Sequence, residues 1–181
     1  MRRTITAVCF VILAATAAAQ SDRAPEYQVK AAFLYNFAKF VDWPSQAFPS
    51  PSAPLRICVL GQNPFGDSLR GIVQDKFISG RAISNEQVGS ATQARACHIL
   101  FISRSEAAGM QQALAYLRNL PILTVGDSGD FLPLGGVINM VLEQDRVRFE
   151  ISLAAAQRQH LKISSKLLAV ARVVDGSGGG P

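Results

Sequence analysis

Apolar positions along this chain follow three rhythms. Residues 55–61 (LRICVLG), 97–103 (CHILFIS) and 121–126 (PILTVG) are short, nearly continuous apolar runs. Runs of that length between turn residues predict strands buried on both faces, as in the middle of a parallel sheet. Residues 146–152 (RVRFEIS) alternate instead, with Val147, Phe149 and Ile151 on one side and Arg146, Arg148 and Glu150 on the other. Together with residues 137–143 across a Gln144-Asp145 turn they predict a hairpin with one solvated face. Helical spacing governs the rest. Residues 26–42 carry Phe33, Phe37 and Phe40 on one stripe and Tyr27, Ala31, Leu34, Ala38 and Val41 on a second, and stop before Pro44.

Turn and cap signals fill in the order. Asn63-Pro64 predicts a helix start running to Gln74, and Ser103 followed by Glu106 matches a capping box opening a helix to Arg118. Residues 80–85 are a weaker strand, 86–96 are ambiguous, 126–136 form a glycine-rich loop, and 153–174 predict a closing helix with a break allowed near His160. Strands alternating with helices predict an α/β fold: a mixed, mainly parallel sheet with helices on both faces and an antiparallel edge hairpin.

The first residues change the picture of where the chain works. Arg2 and Arg3, an apolar run from Ile5 to Ala15, and Ala17-Ala18-Ala19 have the layout of a signal peptide cleaved near Ala19. A retained anchor is the alternative, but the run is short for a span. The expected organisation is a leader at 1–19, one α/β domain at 20–175 and a flexible tail at 176–181. The chain of 181 residues is 49% hydrophobic and 17% charged, which suits a packed core. Its formal charge of +5 falls to +3 without Arg2 and Arg3, and the remaining basic residues are scattered, so nucleic acid is not an expected partner. Two cysteines remain after the leader, Cys58 and Cys97. In an oxidising compartment an even pair is most simply a disulfide; two buried free thiols are the other reading.

Candidate chemistry is thin. GDSG at 126–129 resembles a serine-protease nucleophile loop, but only His98 and His160 could serve as base, one in a predicted strand and one on a predicted helix. In Ser164-Ser165-Lys166 the lysine stands too close along the chain to share a helix face with either serine. Two cysteines and two scattered histidines make no zinc spacing, and the phosphate-loop and dinucleotide fingerprints are absent from the sequence. The expectation is a non-enzyme with no metal and no cofactor.

Six blocks carry a resemblance: VKAAFLYNFAKFVDWP (29–44), ICVLGQNPFGDSL (57–69), CHILFIS (97–103), LTVGD (123–127), GGVINMVLEQDRVRFEISLAAA (135–156) and LKISSKLLAVARVV (161–174). In this order they resemble the YfiR family. The resemblance implies a small exported α/β protein of the Gram-negative periplasm. Such a protein would bind and inhibit the periplasmic sensor domain of a membrane-anchored diguanylate cyclase, lowering cyclic di-GMP and restraining biofilm formation. It also implies a homodimer and sequestration by an OmpA-like outer-membrane lipoprotein. Cys58 and Cys97 match a family disulfide; a second family bridge has no counterpart here. The alternative is a periplasmic small-ligand-binding sensor module without a cyclase partner.

Two candidate sites follow. Arg146, Arg148 and Glu150, on the outward face of the hairpin, are a candidate partner interface, Glu150 through its place in the RFEI block. Ile163, Leu167 and Val170 repeat at helical spacing, so the closing helix is expected to pack beside the first. Asn36, Lys39, Ser164, Ser165 and Lys166 would then line a polar mouth for a small anionic or amino-acid-like ligand; ordinary capping and surface solvation are the simpler account of them. The two aromatic stripes are either core on both sides or core on one side and an interface on the other.

Overall fold

The structure is a computed structural model that describes residues 23–174; the expected leader and tail lie outside the described residues. Helix α1 (Arg23–Phe40) leads into a two-residue strand β1 (Val41–Asp42). Then come β2 (Leu55–Leu60), α2 (Ser68–Val73), β3 (Phe77–Ile78), β4 (Arg81–Val88), β5 (Ile99–Ile102), α3 (Met110–Leu117) and β6 (Leu123–Gly126). The chain continues through β7 (Ile138–Glu143), β8 (Arg146–Ser152), α4 (Leu153–Arg158), β9 (Lys162–Ile163), α5 (Ser165–Leu168) and β10 (Arg172–Val174).

Eight of these strands form one sheet in the order β10-β8-β7-β6-β5-β2-β4-β3. The middle, β7 through β4, is parallel; β7 with β8 and β3 with β4 are antiparallel pairs. The expected mixed α/β sheet is therefore present. Alternation explains why the central strands read as continuous apolar runs. Leu55, Ile57, Val59, Ile99, Phe101, Leu123 and Val125 face one core, which α1, α2, α4 and α5 cover. Cys58, Leu60, Leu100 and Ile102 face a second core, which α3 and Phe131 cover. Both sides are buried along most of these strands, and the charged exception, Arg56, stands near the start of β2 with its side chain partly exposed.

Helix α1 lies in the first core on both of its stripes. Ala31, Leu34 and Phe37 are fully buried, and Phe33 and Phe37 meet the Phe149 ring of β8 at 5.3 and 5.1 Å between centroids. Tyr27 meets Phe65 edge-on at 5.6 Å, and Phe65 meets Phe101 at 4.8 Å. Each fully buried large side chain contributes about 1.5–3 kcal/mol, so the aromatic surface of this helix is core.

The hairpin forms as expected. Gln144 and Asp145 both adopt positive φ (49° and 59°), the conformation that matches a two-residue turn to strand twist. Strand β10 adds outside the last three residues of β8, pairing Arg172 with Glu150, and leaves the hairpin's tip at the sheet edge. Cys58 of β2 and Cys97, just before β5, are disulfide-bonded with Cα atoms 6.0 Å apart. Closing a loop of 39 residues stabilises by roughly 3–4 kcal/mol on the chain-entropy account.

Three expected helices differ from what forms. The helix over 63–74 shrinks to α2, because Asn63 Oδ1 accepts from Phe65 N (2.9 Å) in a local turn and Gly66 sits at φ +54°. At Ser103 the hydroxyl accepts from Ser105 N (3.4 Å) rather than from Glu106, and this gives a 3-10 turn, Arg104–Glu106, before α3 begins. The closing helix over 153–174 does not form as one piece. His160 takes φ +57° and ends α4; residues 162 and 163 pair with β1, and residues 172–174 extend the sheet. The last segment thus packs beside α1 through β9 and α5, not as a long helix.

Candidate functional site

At the hairpin end of the sheet, Arg146 and Arg148 are exposed and Glu150 is half-buried. Glu150 pairs with Arg172 of β10, and Arg172 also reaches Glu143 at 3.1 Å. Glu143, Arg148, Glu150, Val170 and Arg172 help line a shallow pocket of about 100 Å³. Val170, in the turn before β10, is 69% exposed beside this pocket, while Leu142 (50% exposed) and Val173 (40%) are open on the opposite face of the sheet. Glu143, Glu150 and Arg172 partner one another beside Val170, and Arg146 and Arg148 make no ion pair with a described residue.

The five residues expected to form a polar mouth meet only in part. Backbone pairing of β1 with β9 and a bond from Ser164 N to Phe40 O (2.9 Å) bring the end of α1 to Ser164. The Ser164 hydroxyl accepts from Lys166 N (3.2 Å) and caps α5. Lys39 lies over the Tyr35 ring at 4.1 Å. Asn36 is half-buried on α1, Ser165 and Lys166 are exposed in the first turn of α5, and none of these groups lines the pocket at the hairpin.

A cluster that sequence reasoning missed lies at the carboxyl end of β6. Lys30 and the side chain of Asp127 are fully buried. Lys30 Nζ donates to Asp127 Oδ2 at 2.6 Å and also pairs with Glu26, one turn earlier on α1. Tyr27 OH donates to the same Asp127 oxygen at 2.9 Å. Arg104, just after β5, donates to the Asp127 carbonyl through Nη2 (2.8 Å) and Nε (3.1 Å). Its Nε is also 3.2 Å from Asp127 Oδ1, but that N–H is aimed at the carbonyl, and Oδ1 accepts no hydrogen bond. Burial first, and the charge of Asp127 second, raise the Tyr27 phenol well above its ordinary pKa, so it stays a donor. Two cations and two anions partner one another, so the cluster is a clamp joining α1 to the ends of β5 and β6. A reacting group would have to break that pairing first. The available signals were a lysine on the apolar side of an aromatic helix and an aspartate straight after a buried strand, within the GDSG stretch.

His98 is placed by its own bonds. Its Nδ1 accepts from Arg56 N (3.1 Å), which leaves Nε2 to donate to Ala47 O (3.2 Å), and Phe48 stacks on the ring at 4.2 Å. Burial lowers its pKa to about 4 against the opposing pull of the Ala47 bond, with Arg56 and Arg81 lowering it further. It is a structural histidine, in the bend just before β5 and not inside the strand expected over 97–103. The carboxyl ends of β2 and β4 also frame a cavity of about 290 Å³, beside Glu106 and Tyr116.

Two kinds of likeness bear on this chain. The model of the YfiR/HmsC-like family (DUF4154) matches residues 27–172. Among solved structures, an ABC domain from Streptococcus pneumonia in complex with L-Trp is 11% identical, covering 66% of this chain and 55% of its own, at a TM-score of 0.47. A conserved domain protein from Vibrio cholerae is 10% identical, covering 65% and 54%, at 0.48. The chain thus spans about half the length of these solved structures, and at such scores neither carries an argument.

Proposed function

Because the chain belongs to the YfiR/HmsC-like family, we propose that it is a periplasmic regulatory protein that binds and inhibits the periplasmic sensor domain of an inner-membrane diguanylate cyclase. The observation that supports this most is the hairpin end of the sheet. There Arg148 and Glu150 line a shallow pocket with Val141 and the exposed Val170, Arg146 lies on the same face, and Leu142 and Val173 are exposed on the opposite face of the same edge. Inhibition by contact requires tighter binding to an unproductive arrangement of the cyclase than to a productive one. A rigid sheet edge supplies a fixed shape against which two receptor arrangements differ in fit. No covalent step is part of this reading; the protein works as a ligand of its receptor. Export by the leader at 1–19 brings it to that receptor. A homodimer and an OmpA-like outer-membrane lipoprotein are the further partners of this reading, the second competing with the cyclase.

Glu150→Arg tests the surface. It reverses the charge facing Arg172, an exposed pairing worth less than about 1 kcal/mol, so folding should persist. Biolayer interferometry against the cyclase's purified periplasmic domain should show binding weakened at least tenfold. Unchanged affinity removes the hairpin from the interface.

A further inference from the structure

The cavity at the carboxyl ends of β2 and β4 is used by neither the hairpin surface nor the buried clamp. β4 and β5 flank β2 on opposite sides. The chain leaves β2 toward α2 on the face of α1, and leaves β5 toward α3 on the other face. Strand ends where the connections diverge to opposite faces leave a crevice, and in open α/β sheets that is where ligands sit.

Its lining has a definite chemistry. Leu60, Ala91, Ala113 and the Tyr116 ring give apolar walls, and Ser90, Thr92 and Gln112 give neutral polar groups. Glu106 is the one charged residue lining it. Gly61, at φ +88°, makes room for that side chain: a Cβ there would stand 2.7 Å from Glu106 Cγ and Oε1 and 2.5 Å from Ser105 Oγ. The Glu106 carboxylate makes no ion pair with a described residue. Arg95 is engaged with the Tyr116 wall instead, donating to its hydroxyl at 3.4 Å. A lone carboxylate beside an aromatic face, with no lining cation, favours a positive group and leaves an anion only neutral donors against the charge of Glu106.

We propose that this crevice binds a small amine-bearing metabolite, its ammonium on Glu106 and its apolar body against Leu60, Ala113 and Tyr116. About 290 Å³ is at the lower end of ligand cavities and suits a molecule of metabolite size. The site does not depend on the cyclase reading.

Isotope-labelled protein with its disulfide intact tests this by amide chemical shifts. The probes are phenethylamine, tyramine and putrescine, with 2-phenylethanol and phenylacetate as neutral and anionic controls. At least one amine should saturate shifts confined to residues 60–61, 89–92 and 106–116, and both controls should bind at least tenfold more weakly. Glu106→Gln should cost that amine at least tenfold with an unchanged melting temperature. Ala113→Phe, which fills the cavity, should abolish binding. Failure of all three amines to saturate, shifts centred elsewhere, phenylacetate binding as tightly, or indifference to both substitutions would each overturn the proposal.

Discussion

Lys30 is the residue on which the first core depends most sharply. A fully buried ammonium is tolerated because Asp127 and Glu26 meet it. Lys30→Met removes the cation and leaves Asp127 buried with only the Tyr27 hydroxyl and Arg104. The expected cost is about 3–5 kcal/mol in urea denaturation. Adding Asp127→Leu should recover part of it, since the uncompensated charge then goes too. A loss below about 1 kcal/mol for the single variant would show that the clamp is not what the geometry implies. His98 makes a prediction in pH. Its folded pKa, about 4, lies below the ordinary 6.5, so the folded state favours the neutral ring. Its contribution is complete above pH 6.5 and is lost as pH falls toward 4, with a slope approaching about 1.4 kcal/mol per pH unit. Protonation would put a hydrogen on Nδ1, opposite the Arg56 N–H it now accepts. Chemical denaturation between pH 7 and 4.5 should show the slope in the native protein and a flatter line in His98→Gln; parallel lines would contradict it. The sequence displayed Lys30 and Asp127 only as exceptions to an apolar pattern. Their pairing spans 97 residues of chain, and no local signal carries that.

Elements were legible where one local rule decided them. The hairpin shows this: alternation set its faces, and two polar turn residues set its register. Its turn is also strained, since non-glycine residues at positive φ cost about 1–2 kcal/mol each. Asp145, at φ +59°, should therefore accept glycine with a gain of about 1 kcal/mol in thermal or urea unfolding; a loss would mean that the aspartate side chain contributes more than its backbone costs. The closing segment was illegible for the opposite reason. Ile163, Leu167 and Val170 keep helical spacing, yet Ile163 is in β9, Leu167 is buried in α5 and Val170 is 69% exposed. Two short elements and the turn after them happened to mimic one period. The break came from His160, where the sequence allowed a kink but gave no reason for strands on its far side. Of the candidate sites, the hairpin surface could be read from alternation. The crevice could not, because it exists only where the loops after β2, β4 and β5 converge.

For the whole molecule, two cores pack on the two faces of one sheet, and the Cys58–Cys97 bridge ties β2 to the start of β5 within the second; the hairpin end and the carboxyl-end crevice remain open to other molecules. In this account the chain works outside the cytoplasm by touching a membrane cyclase. The most direct test is intracellular cyclic di-GMP, measured in cells lacking the native gene and supplied with either the full chain or a form without residues 1–19. The account predicts that the full chain lowers cyclic di-GMP and that the leaderless form, at equal abundance, leaves it unchanged. Equal lowering by both forms, or no effect of either, would contradict it.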